Sequence, residues 1–224
     1  MPLDILHLDE HVVAVDKPAG MLVHRGWDND KVVAMTEARD AVGRWVYPVH
    51  RLDRPTSGVL LFALSKEAAG ELGRSFADRR IRKRYLALTR GVTPEQGRID
   101  HPIARTTKGR RVEAITDFNR LGTFDRYSLI EARPLTGRTH QIRKHLKHIS
   151  HPIIGDVNYG KGEHNRLFRE RFDFHRLALH AASLTVPHPA TGADLTVQAP
   201  VSGDLLRLFE ATGLDGALGP QSGP

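Results

Sequence analysis

Short apolar runs and stripes of apolar residues at helical spacing divide this chain into its expected elements. Residues 12–15 and 59–64 are unbroken apolar runs with branched side chains, and both predict buried strands. Residues 65–80 predict a helix. Ser65 suits the N-cap, Ala68, Leu72 and Phe76 share one face, and Arg79 and Arg80 fall in the last turn. Residues 139–149 predict a second helix, with its stripe at Ile142, Leu146 and Ile149. Further strands are expected at 84–89, 127–132, 179–186 and 195–199, and a final helix at 202–212. The basic stretch 104–122 predicts a substrate-facing loop or hairpin. From Leu214 the chain is rich in Gly and Pro and predicts a frayed tail. Strands and helices do not alternate steadily, so the expected fold class is α+β. One domain over residues 1–212 and a flexible tail over 213–224 are expected.

Composition narrows the function classes. The chain has 224 residues and is 40% hydrophobic, enough for a real core. It has no cysteine, which removes disulfides, thiolate metal sites and a cysteine nucleophile together. No apolar run approaches the ~18 residues that span a bilayer. The N-terminus lacks the charged and apolar regions of a signal peptide, so a cytoplasmic protein without a membrane partner is expected. A net charge of +7 with 13 histidines points to a polyanionic partner.

The most informative run is His50-Arg51-Leu52-Asp53-Arg54-Pro55-Thr56-Ser57-Gly58. One carboxylate stands between two arginines. Pro55 disfavours helix at Arg54 and stiffens the loop just before a buried strand. A rigid loop on a buried strand is a good mount for a reactive side chain. The alternative is an aspartate that caps a turn and pairs with Arg51 or Arg54.

This run resembles the catalytic signature HRLDxxTSGxxL of the RluA-type pseudouridine synthases. Further segments resemble that family in its own order: Lys17-Pro18-Ala19-Gly20 with Leu22 to Arg25, Arg84-Tyr85-Leu86-Ala87, Thr136 to Arg143, His151 to Asp156, and Leu179-His180-Ala181. Together they cover residues 10 to 200, and six motifs in order are specific where one would be weak. The resemblance implies a pseudouridine synthase core, a long mixed and mostly antiparallel sheet flanked by helices, without the N-terminal RNA-binding domain that many relatives carry. It implies isomerisation of uridine to pseudouridine, which needs no cofactor or metal. It also implies roles for three residues. Asp53 matches the catalytic aspartate, Tyr85 the tyrosine that stacks on the target base, and Arg143 the arginine that pairs with the aspartate. Within the family, the Lys17–Arg25 element and Asn165 to Glu170 look most like the TruC branch, which modifies uridine 65 in the T stem of tRNA. Asn165 to Glu170 also reads as a surface helix packed by Leu167 and Phe168.

The remaining chemistry is cationic. Arg51, Arg54, Arg138, His140, Gln141, Lys144 and Lys147 are the candidate substrate-binding residues. At ~100° per residue Arg143 flanks the apolar stripe, with Lys144 and Lys147 further round, facing solvent or phosphate. His145 and His148, three apart, share a face, and His180 or Asp156 could complete a metal set. The intervening lysines oppose a divalent ion, and no HExxH-type pairing is present, so no metal is expected. The expected partner is RNA, tRNA before ribosomal RNA, with no obligate protein partner inferred. The alternative of another class is a non-catalytic RNA-binding module that kept the fold.

Overall fold

The computed structural model describes residues 3–24, 32–104 and 109–219. In chain order the elements are β1 (Asp4–Leu8), β2 (Val12–Lys17), α1 (Ala34–Val42), β3 (Tyr47–Pro48), β4 (Ser57–Ala63), α2 (Lys66–Ala77), β5 (Arg82–Arg90), β6 (Gln96–Asp100) and β7 (Ile103–Ala104). They continue with β8 (Arg111–Val112), β9 (Ile115–Phe124), β10 (Tyr127–Pro134), α3 (Gln141–His148), α4 (Gly162–Phe172), β11 (Leu179–Pro187), β12 (Asp194–Gln198) and α5 (Gly203–Ala211). The class is α+β, as the irregular order of the elements predicts. Among the described residues no helix is long and apolar enough to cross a membrane.

By its internal contacts the chain clusters into two compact units. Of the described residues, the first comprises 3–24, 32–83 and 181–200, the second 84–104, 109–180 and 201–219. In the first unit the strands run in the order β1-β2-β4-β11, with β3 on β4 and β12 on β11. Every residue of β4 is buried, as expected of an apolar run covered on both faces. Val59, Leu61 and Ala63 pack with Val12 and Ala14 of β2 and with Ala68 and Leu72 of α2. The Ser65 hydroxyl caps α2 by accepting from the Ala68 amide at 3.0 Å. The helix stops at Ala77, short of the expected Arg80, because Arg79 is left-handed at φ 58°.

In the second unit the order is β5-β10-β9-β6, all antiparallel, with β7 and β8 forming a separate ribbon. Residues 115–122 are therefore not loop. They belong to β9, paired by β10 on one side and β6 on the other, while β7 and β8 are the hairpin part of the expected 104–122 segment. Residues 105–108, including Lys108, lie outside the described residues. Between Gly213 and Gly219 the chain stays packed. Residues 215–218 form a 3-10 turn with Leu214 and Leu218 buried, so those apolar side chains outweigh the Gly-rich composition there.

His50 ties the catalytic-signature loop to this core. Its Nε2 accepts the Leu61 amide at 2.9 Å and its ring stacks on Phe76 at 5.3 Å. Burial, followed by the nearby Lys83 charge, lowers its pKa to about 4. The unfolded chain binds the proton near pH 6.5, so this contribution to stability is complete above about 6.5 and is lost as pH falls towards 4. The upper bound is ~3 kcal/mol. His50→Gln keeps an acceptor for Leu61 without the titration. Its loss of urea resistance between about pH 7 and pH 4.5 is expected to be smaller than that of the native chain. Equal losses would sink the idea.

Candidate active site

Asp53 is mounted on a loop that is held by main-chain bonds. Its carbonyl accepts the Thr56 amide at 3.0 Å, closing a tight turn around Pro55. On the other side of the loop the Arg54 carbonyl accepts the Gly20 amide at 2.8 Å and the Lys17 ammonium at 3.2 Å. Lys17 is fully buried and donates also to the carbonyls of Pro18 and Met21, at 2.8 and 2.9 Å. A buried lysine needs such partners to keep its charge. The Lys17-Pro18-Ala19-Gly20 segment is thus a clamp on the residue next to Asp53, a role that its spacing from Asp53 in sequence did not show. Arg54 adds a bond from Nε to the Gly20 carbonyl at 2.9 Å.

Gly58 closes the loop. Its φ is 109°, and a Cβ there would lie 2.2 Å from the Ala181 carbonyl oxygen. Only glycine fits, so the strand leaves the loop at a fixed angle. Asp53 itself is half-buried, and Arg51 and Arg54 are exposed.

Tyr85, in β5, is half-buried and stands opposite the small Ala132 of β10. On the opposite face of β5, Arg84 pairs with the buried Glu131, which Arg133 also contacts. That pairing fixes which way the strand faces, and alternation then sets the direction of Tyr85.

The arginine-motif segment forms a braced loop and a short helix. His140 is left-handed at φ 55°, so α3 begins at Gln141 and not at Thr139. Gln141 is buried. Its carbonyl accepts from the Thr136 hydroxyl at 2.6 Å and the Arg138 amide at 3.0 Å. Its amide donates to the Ile115 carbonyl at 2.9 Å and the Thr116 hydroxyl at 3.0 Å. Gln141, expected to bind substrate, spends these groups on holding the loop to β9. Arg138 is exposed and donates from Nε to the Glu113 carbonyl at 3.0 Å.

Arg143 is buried and makes a bidentate pair with Asp156. Nε lies 2.7 Å from Oδ2 and Nη2 lies 2.9 Å from Oδ1. Its guanidinium sits 5.0 Å from the Tyr159 ring centroid. His140 meets the Tyr159 hydroxyl through Nδ1 at 3.0 Å. Lys147 is exposed, as a lysine further round the helix should be. Four residues on from Arg143, it reaches the same ring at 5.8 Å. Lys144 is half-buried.

Asp156 carries more than the arginine. Its Oδ1 accepts the amides of Asn158 and Tyr159, each at 3.0 Å. Burial favours the neutral acid, but Arg143 and these amides outweigh it and hold the carboxyl below its ordinary range. Gly155, at φ 76° with its Cβ position against the Arg176 carbonyl, permits the turn. Asn165 of α4 braces it, accepting from the Gly155 amide at 2.9 Å and donating to the Asp156 carbonyl at 3.0 Å. The sequence marked Asp156 only as a motif residue and a possible metal ligand. An ion pair thirteen residues apart across a loop leaves no periodic trace.

The histidines suggested as a metal pair are engaged elsewhere. His145 is buried, with Nδ1 at 2.9 Å from the Thr116 hydroxyl and Nε2 at 3.0 Å from the His101 carbonyl. His148 stacks on His101.

Residues 11–148 match the family described as RNA pseudouridylate synthase. The chain belongs to this family. As an RNA pseudouridine synthase it is an isomerase. It is 41% identical to tRNA pseudouridine synthase C of Vibrio parahaemolyticus, over 92% of this chain and 94% of that protein. It is 45% identical to the protein of the same name from Salmonella typhimurium, over 88% of this chain and 85% of the relative. Among solved structures, human RNA pseudouridylate synthase domain containing 1 aligns with a TM-score of 0.77 at 28% identity, covering 96% of this chain and 87% of that one. Human RNA pseudouridylate synthase domain containing 4 gives 0.77 at 26% identity, covering 94% and 93%.

Proposed function

We propose that this pseudouridine synthase acts on tRNA in the cytoplasm, at uridine 65 of the T stem, without an obligate protein partner. The observation that carries the reading is the 41–45% identity, over most of both chains, to proteins named tRNA pseudouridine synthase C. The Lys17–Gly20 clamp and the Asn165 brace support it, since both segments resemble the same branch.

Asp53 supplies the carboxylate that acts as nucleophile or base toward the nucleoside. Tyr85 matches the family's base-stacking tyrosine, and Arg143 its aspartate-pairing arginine. The N1–C1′ bond breaks, the uracil turns, and C5 joins C1′ while its proton is lost and N1 gains one. Atoms and electrons balance without any co-reactant. The target uridine leaves its stem for this chemistry, at a cost of a few kcal/mol. Arg51, Arg54, Arg138, His140, Lys144 and Lys147 contact the RNA and offset that cost, while Gln141 keeps their loop in shape.

The test uses unmodified tRNA and ribosomal RNA transcripts with the purified protein, followed by mapping of the product. Pseudouridine is expected at position 65 of folded tRNA. A single-stranded oligonucleotide of the same sequence is expected to react poorly, because a stem is recognised by shape and backbone. Product only in ribosomal RNA would overturn the substrate while leaving the chemistry.

A further inference from the structure

A cationic cluster lies beside the braced loop, where the end of β6, strand β8 and the end of α3 meet. The rings of His101 and His148 stack with centroids 3.7 Å apart and planes 16° from parallel. Arg111 donates from Nη1 to His101 Nε2 at 3.1 Å. That bond makes Nε2 an acceptor, so the His101 ring is neutral in this arrangement. His101 is half-buried, whereas His148 and Arg111 are exposed. Beneath them His145 holds the His101 carbonyl, so the position of His101 is built and not incidental.

We propose that Arg111, His101 and His148 form a proton-linked phosphate subsite for the RNA backbone. This rests on the reading that the chain binds RNA. Two stacked imidazoles at this distance do not both carry charge without an anion between or beside them. Burial first, then His148, then Arg111 oppose the protonation of His101. His145 feels His101 and His148 in the same sense, with Asp100 as the carboxylate acting on it from β6. A phosphate against Arg111 reverses the balance. It accepts from the guanidinium, frees His101 Nε2 from its acceptor role and draws a proton onto the pair. His148 stands in the last turn of α3, where the helix favours a cation. Phosphate binding therefore takes up a proton, and affinity rises as pH falls, by up to ~10-fold per pH unit for one proton.

Two measurements test this. Ring C–H resonances of His101 and His148 are titrated by NMR with and without inorganic phosphate, and their midpoints are expected to rise when phosphate is present. Separately, tRNA transcript affinity is measured at about pH 6 and pH 8. The native chain is expected to bind at least ~10-fold more tightly at the lower pH, and His148→Gln less than ~3-fold more tightly. Arg111→Gln is expected to weaken binding at both values, since it removes a permanent cation. Unmoved histidine midpoints, or an unchanged pH ratio in His148→Gln, would overturn the subsite and leave the tRNA reading standing. Phosphate-shifted histidines in a protein that binds no tRNA would overturn the tRNA reading instead and leave the phosphate subsite.

Discussion

Asp53→Asn is expected to leave no detectable isomerisation while tRNA affinity stays within about threefold of native. The amide keeps the size of the side chain and removes the carboxylate that the proposed mechanism uses as nucleophile or base. Loss of such a group lowers turnover by ~10³-fold or more. The loop is expected to survive the change because it is held through main-chain atoms. Thr56 bonds the Asp53 carbonyl, and Lys17 and Gly20 bond the Arg54 carbonyl. None of these bonds involves the carboxylate. An inactive variant that still binds RNA would thus report on chemistry and not on folding. Single-turnover assays on tRNA transcript, with filter binding alongside, separate the two. Turnover within tenfold of native would remove Asp53 from the mechanism.

What could be read from the sequence follows from how each element signals itself. Strands β2 and β4 are covered on both faces, so they show as unbroken apolar runs. Helix α2 announces itself by a cap and a stripe. The Asp53 loop is local, so its whole pattern lies within nine residues. Helix α1 went unseen because its buried positions are Ala34 and Ala38, too small to make a stripe. Strand β9 went unseen because its covered positions alternate Thr116 with Phe118 among polar neighbours. The braces of the site were the least legible. Gln141 and Asn165 are polar residues whose partners are brought to them by the fold, and nothing in their neighbourhoods distinguishes them from solvent-facing amides. Lys17 is similar. Its charge suggests exposure, and the carbonyls that the fold brings around it account for its burial.

The same reasoning makes Asp156 the second site of large effect. Both members of the Arg143–Asp156 pair are almost wholly buried, with side-chain exposures of 4% and 0%. Removing one partner of such a pair costs ~3–5 kcal/mol, mostly because the other charge is left in a low-dielectric setting. Asp156→Asn keeps an oxygen for the Asn158 and Tyr159 amides, so the loop retains those bonds and the loss falls on Arg143. Stability is expected to drop by ~3 kcal/mol. Turnover is expected to drop at least tenfold with tRNA affinity little changed, because a guanidinium whose bidentate pair with Asp156 is weakened no longer holds one orientation over Tyr159. The double variant Arg143→Met/Asp156→Asn separates the two effects. Without the buried cation it is expected to recover most of the lost stability, giving a strong coupling in the double-mutant cycle, yet to stay inactive. Urea unfolding of the four proteins and single-turnover rates on tRNA make the comparison. Additive losses of stability, or native turnover in Asp156→Asn, would show that Asp156 does not position Arg143 for the reaction.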